Sequence, residues 1–210
     1  MFEKKYHNNL YGISFMILNG LSLAILYAVV KVLRSDLDSS LIVFLYKTTI
    51  LILILPWVFS EGLKAIKTPY FKLHLIRGFL STMGSLSWAY GIKYVYVATA
   101  TAILQMEQVL WVVVGLLLFN ERITRTKLAV VILALLGAIL VVTAKGGSGA
   151  YGFHYGYVFI LMAVLFYTMN STVIKILGQK ARNKTQIFYV MLFSMVFSYP
   201  FAFLDWEIVR

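Results

Sequence analysis

Residues 95–119 read VYVATATAILQMEQVLWVVVGLLLF. At 1.5 Å rise per residue, about 20 apolar residues cross the hydrocarbon core of a bilayer, and this run is long enough to do so. It contains one charge, Glu107, with Gln105 and Gln108 beside it. A carboxylate at bilayer depth costs about 2.5–3.5 kcal/mol on insertion scales, so Glu107 is expected to face other helices and not lipid.

The rest of the chain extends the same pattern. Of 210 residues, 61% are hydrophobic and 13% are charged, whereas soluble domains hold about 45–50% apolar and about 25% charged residues. One soluble core cannot hide that excess, so the outer surface itself must be apolar. Seven runs read as membrane-spanning helices: Tyr11–Leu33, Leu41–Phe59, Leu75–Lys93, Val95–Phe119, Leu128–Ala144, Tyr155–Leu177 and Ile187–Leu204. Arg77 and Lys93 trim the third, and both can snorkel to the interfaces. The stretch KGGSGAYG (145–152) reads as a flexible linker. The basic N-terminus leads into a full-length span with no small-residue cleavage site, which predicts an uncleaved first helix.

Composition also excludes several functions. There is no cysteine, hence no disulfide framework and no thiolate metal site. His7, His74 and His154 lie far apart, without metal-ligand spacing, and no metal or other cofactor is expected. The net charge of +11 sits in the short gaps between apolar runs. That is the arrangement of cytoplasmic loops and not of a nucleic-acid-binding face, so the expected partners are the lipid bilayer and a small-molecule metabolite, with no nucleic acid.

With the N-terminus inside, the inner segments hold Lys4, Lys5, Lys64, Lys67, Lys72, Arg77, Arg122, Arg125, Lys127, Lys175, Lys180, Arg182 and Lys184. The outer ones hold Lys31, Arg34, Lys93, Lys145 and Arg210. The positive-inside rule therefore puts the N-terminus in the cytoplasm and Arg210 outside. A shift of 144 residues lays Gly12 on Gly156, Lys31 on Lys175, Phe44 on Phe188 and Pro56 on Pro200. A repeat of five spans has an odd number of crossings, so its second copy enters from the opposite side. Inverted repeats of this kind characterise secondary transporters with a midplane site.

The stretches HLIRGFLSTMGSLSWAYGIKYVYVATATAIL (74–104) and LLLFNERIT (116–124) resemble the EamA domain of the drug/metabolite transporter superfamily. The features matched are Arg77-Gly78 opening the third helix, Trp88 and Tyr90 near its end, the Ala98–Thr101 entry to the fourth, and Glu121 after it. Lys47 stands where the family has a basic residue early in the second helix. HLIRG, SWAYG and TAT are similar to S-adenosylmethionine uptake carriers of that superfamily. The resemblance implies ten helices in two five-helix repeats, so helices eight to ten are missing here. Either the product is truncated or another chain completes the fold. Gln108 occupies the place where family members often carry a proline in the fourth helix.

The expected fold is an all-α multi-pass membrane protein of seven spans. Residues 1–144 form the first five-helix repeat, 145–154 a linker, and 155–210 the first two helices of an inverted second repeat. The expected substrate-binding residues are Glu107, Gln105, Gln108, Lys47, Trp88 and Trp111. For Glu107 two readings stand, a substrate or proton site and a structural carboxylate bonded to neighbouring helices. Lys47 is its natural partner, set against snorkelling to the outer interface. Trp88 reads as an aromatic wall suited to a cationic or zwitterionic solute, and Tyr94 and Tyr96 as an interfacial belt. Gly78, Ser81 and Ser85 read as small-residue packing, as do Asn170, Ser171 and Thr172. Glu121, Arg122, Arg125 and Lys127 read as a solvated inner loop.

With no GxxxxGK[ST] motif and no catalytic set around Glu107, the expected activity is ATP-independent transport of a small organic metabolite, amino-acid-like or S-adenosylmethionine-like, across a bacterial inner membrane. The alternatives are a transport-inactive remnant, or a subunit that works as a homo-oligomer or with a complementing chain.

Overall fold

In a computed structural model, the structure describes residues 2–60, 62, 66–120, 124–143, 155–178 and 180–208. The expected linker at 145–154, and Glu121 and Arg122, lie outside the described residues. Every regular element among the described residues is helical: α1 (Phe2–Leu33), α2 (Ser39–Phe59), α3 (Phe71–Gly91), α4 (Val97–Leu104), α5 (Met106–Phe119), α6 (Arg125–Thr143), α7 (Tyr155–Gly178) and α8 (Asn183–Ile208). Among the described residues five segments are long and apolar enough to cross a membrane: Tyr11–Leu33, Ser39–Phe59, Val97–Phe119, Tyr155–Gly178 and Asn183–Phe203. The protein is therefore an all-helical, multi-pass membrane protein.

The chain divides into two units, Met1–Leu37 and Asp38–Arg210. The first is essentially α1, whose Phe15, Met16, Leu18 and Ile25 are exposed along its length. That is an apolar surface suited to lipid.

In the second unit α3 is the central helix. It packs on α2, α7 and α8 and buries His74, Arg77, Gly78, Ser81, Thr82, Gly84, Ser85 and Trp88, among others. These residues explain why α3 is not among the five apolar segments. A helix enclosed by other helices needs small and hydrogen-bonding residues for close approach, not apolar ones for lipid. A Cβ added at Gly84 would lie 2.7 Å from the Tyr167 ring, and one added at Gly78 would run into Phe193. Arg77, expected to snorkel, is instead covered by α8.

Residue contacts fix the relative sense of five helices of the second unit. Lys47 meets Ser81, and Ser39 meets the Ala89 carbonyl, so α2 and α3 are antiparallel. Phe71 meets Tyr189 and Phe79 meets Phe197, so α3 and α8 are parallel. Gly84 abuts Tyr167 while Gly91 abuts Ile160, which makes α3 and α7 antiparallel. Glu107 meets Ser171 and Trp111 meets Lys175, which makes α5 and α7 parallel.

The fourth expected span is one run in sequence but two helices in the structure. The break is at Gln105, whose N–H points at the carbonyls of Thr101 (3.3 Å) and Ala102 (3.2 Å), while the Gln108 N–H bonds to the Gln105 carbonyl at 3.0 Å. A tightened, 3₁₀-like turn here interrupts the helix without any proline.

Candidate functional site

Two groups of polar side chains lie inside the second unit. The first joins α2, α3 and α8. On α2 the buried residues Ser40, Val43, Lys47, Leu51 and Val58 recur at helical spacing, which directs Lys47 inward with Val43 and Leu51. Its Nζ donates to Ser81 Oγ at 3.1 Å, and the side chain is 6% exposed. It does not snorkel to the outer interface. One turn before Ser81 on α3, Arg77 is 8% exposed. Its Nη1 donates to Gln186 Oε1 at 3.0 Å and to the Gln186 carbonyl at 3.3 Å. Gln186 is fixed in turn by donating from Nε2 to the Ala181 carbonyl at 2.9 Å. Thr82 Oγ1 donates to the Gly78 carbonyl at 2.9 Å and Ser194 Oγ to the same carbonyl at 3.3 Å, tying α8 to α3.

The second group joins α5 and α7. Ser171 Oγ donates to Glu107 Oε1 at 2.8 Å. One turn further along both helices, Lys175 Nζ stands 5.4 Å from the Trp111 ring centroid and 4.0 Å from that of Phe119, within cation–π range. The break at Gln105 sits immediately before this pair of rungs, so Glu107 lies in the first turn of α5.

The structure therefore brings Glu107 and Trp111 together and places Lys47 elsewhere. Among the described residues no ion pair joins Lys47 to Glu107, because α2 turns its lysine toward α3 while α5 turns its carboxylate toward α7. Gln105 and Gln108 are exposed and do not share the Glu107 contact. Trp88 is buried within α3's packing. Tyr94 and Tyr96 are exposed at the end of that helix, as a belt residue would be. Sequence reading passed over Ser81, Ser171 and Gln186 as functional partners. The first two look like ordinary small residues of helix packing, and Gln186 lies 109 residues from Arg77, so no local pattern connects them.

The model of the EamA-like transporter family matches residues 10–143. This chain belongs to that family. The matched segment covers Lys47, Arg77, Trp88, Glu107 and Trp111. Relatives include an S-adenosylmethionine uptake transporter of Rickettsia felis, 28% identical over 155 residues, which are 74% of this chain and 51% of that protein. Another S-adenosylmethionine uptake transporter, from Rickettsia conorii, is 26% identical over 195 residues, 93% of this chain and 65% of the relative. A riboflavin transporter of Vibrio cholerae is 23% identical over 205 residues, 96% of this chain and 67% of that protein. The chain thus spans between about half and two thirds of the length of these relatives. No solved structure matches it.

Proposed function

We propose that the chain is a secondary, ATP-independent carrier of a small organic metabolite, amino-acid-like or S-adenosylmethionine-like, in the bacterial inner membrane. The observation that carries this reading is Glu107, a half-buried acid in the first turn after a mid-span helix break, held by Ser171 of a neighbouring helix. Broken helices whose ends meet polar groups at the midplane are where secondary transporters bind solutes. Glu107 with Trp111 on α5, and Lys47 on α2 with Trp88 on α3, are the side chains assigned to the solute, while Gln105 lies at the break and Gln108 just after it. The relatives' names, S-adenosylmethionine uptake transporter and riboflavin transporter, supply the solute class.

Seven spans, with the N-terminus cytoplasmic, complete the proposal. The distribution of lysine and arginine supports the orientation. α3 opposes both α2 and α7, and α5 and α7 are parallel, which fits a return crossing through α6 between them. Residues 1–144 are the first repeat, 145–154 the linker, and 155–210 the opening of an inverted second repeat. The helix bounds support this register, since Ser39 and Asn183, which open α2 and α8, stand 144 residues apart.

The test is reconstitution. Purified protein in liposomes preloaded with unlabelled S-adenosylmethionine, riboflavin or an amino-acid mixture should exchange the labelled solute for at least one of them, and Glu107→Gln should abolish the exchange. A wild-type chain that exchanges none of these solutes sinks the reading.

A further inference from the structure

Two cations, Lys47 and Arg77, are each more than nine-tenths buried on adjoining faces of α2 and α3. Among the described residues neither makes an ion pair. The acids with described side chains are Asp36, Asp38 and Glu107. Asp38 stands at the N-cap position of α2, nine residues before Lys47, and Glu107 is engaged by Ser171. Burying one charge without a counter-charge is costly, and burying two of the same sign near each other is more so.

The two cations leave from neighbouring positions of α2 and α3. Lys47 Nζ is anchored on Ser81 Oγ, and Ser81 follows Arg77 by one helical turn, about 6 Å between Cβ atoms. Only Nη1 of Arg77 bonds to Gln186, and its buried Nε has no hydrogen-bond partner among the described residues. A guanidinium with an unused N–H and an ammonium resting on a serine hydroxyl are donors that a planar or tetrahedral oxyanion takes up, the first through its N–H fork and the second as a point charge.

We infer that Lys47 and Arg77 together form a binding point for an oxyanion group, a carboxylate or phosphate, of the transported solute. This rests on the carrier reading and deepens it. The solute would carry an anionic group at α2–α3–α8, apart from the Glu107–Trp111 pair at α5–α7, and a zwitterion would satisfy both.

The test is anion-dependent stability of the full chain in nanodiscs of purely zwitterionic lipid. Unfolding midpoints are compared in potassium phosphate, potassium acetate and potassium chloride at equal ionic strength. Because phosphate also stabilises proteins non-specifically by exclusion, the reading is the difference between variants. Phosphate or acetate should raise the wild-type midpoint over chloride in a saturable way, Lys47→Met and Arg77→Gln should lose that saturable part, and Lys47→Arg should keep it. An equal anion response in wild type and Lys47→Met overturns the inference. If Lys47→Met does not fold, Lys47→Arg decides alone: a planar fork in place of a point charge should shift the half-saturating phosphate concentration several-fold, and an unchanged value overturns the site.

A parallel arm uses nanodiscs containing anionic lipid. A response that appears only there, and that Lys47→Met removes, makes the occupant a lipid headgroup and overturns the assignment to solute. Since no transport is measured, a chain that exchanges solute in liposomes but shows no saturable anion response refutes this inference while leaving the carrier reading intact.

Discussion

Glu107 is the one acid inside a long apolar run, and its surroundings show what such a residue requires. Its Oε1 accepts one hydrogen bond, from Ser171, and an interhelical hydrogen bond of this kind is worth about 0.6 kcal/mol on average. That falls short of the insertion cost of about 2.5–3.5 kcal/mol for a charged acid at the helix centre. A neutral, protonated carboxyl would avoid that cost, and a bound cation would offset it. Glu107→Gln keeps shape and hydrogen bonding and removes the charge. Uptake into liposomes should fall at least about tenfold, a difference of about 1.4 kcal/mol, with membrane insertion unchanged. Full uptake in the variant would return Glu107 to a structural role. Ser171→Ala separates the two readings further. It removes the hydrogen bond and keeps the acid, so the unfolding midpoint should drop slightly while uptake persists. Loss of uptake equal to that of Glu107→Gln would show that Ser171 belongs to the site itself.

At the scale of elements, α3 is held by contact distance. Gly84 lets the α3 backbone approach Tyr167 of α7, and Gly78 does the same for Phe193 of α8. Gly84→Ala should destabilise the protein by about 1–3 kcal/mol, the usual cost of overpacking, as read from the unfolding midpoint in detergent. Tyr167→Leu in the same chain should recover part of the loss, because the ring that the new Cβ meets is gone. A fully additive double mutant would show that the two helices do not touch there. The break between α4 and α5 belongs to this scale too. Family members often carry a proline in this helix, where Gln108 stands here. The chain instead achieves it through hydrogen-bond register at Gln105, which residue identity does not reveal.

Over the whole molecule, the topology is a statement about charge. A reporter active only in the cytoplasm should give signal when fused in the loops near Lys67, Arg125 and Arg182 and stay silent when fused after Arg210. Signal at Arg210 would remove one crossing from the proposed seven. The repeat makes a separate geometric prediction. In an experimental structure, α1 and α2 should superpose on α7 and α8 after rotation about an axis in the membrane plane, with Lys31 on Lys175 and Pro56 on Pro200. Unrelated packing of those two pairs would end the inverted-repeat argument.

The amino-acid order by itself determined that this chain is a set of membrane helices. That follows from local quantities: the length of each apolar run, the charges between runs, and the need of every backbone N–H and C=O in lipid for a partner within its own helix. The same reasoning placed Glu107 against another helix before any neighbour was known. Which helix, and which faces meet, only the tertiary structure decided. Lys47 finds Ser81 across 34 residues and Arg77 finds Gln186 across 109, and α3, the least convincing span on composition, proves to be the centre. The physical reason is that lipid is as apolar as leucine, so hydropathy cannot choose between one apolar face and another. Small residues that allow close approach, and polar groups that need a partner, make that choice, and their complements lie on helices far away in the sequence.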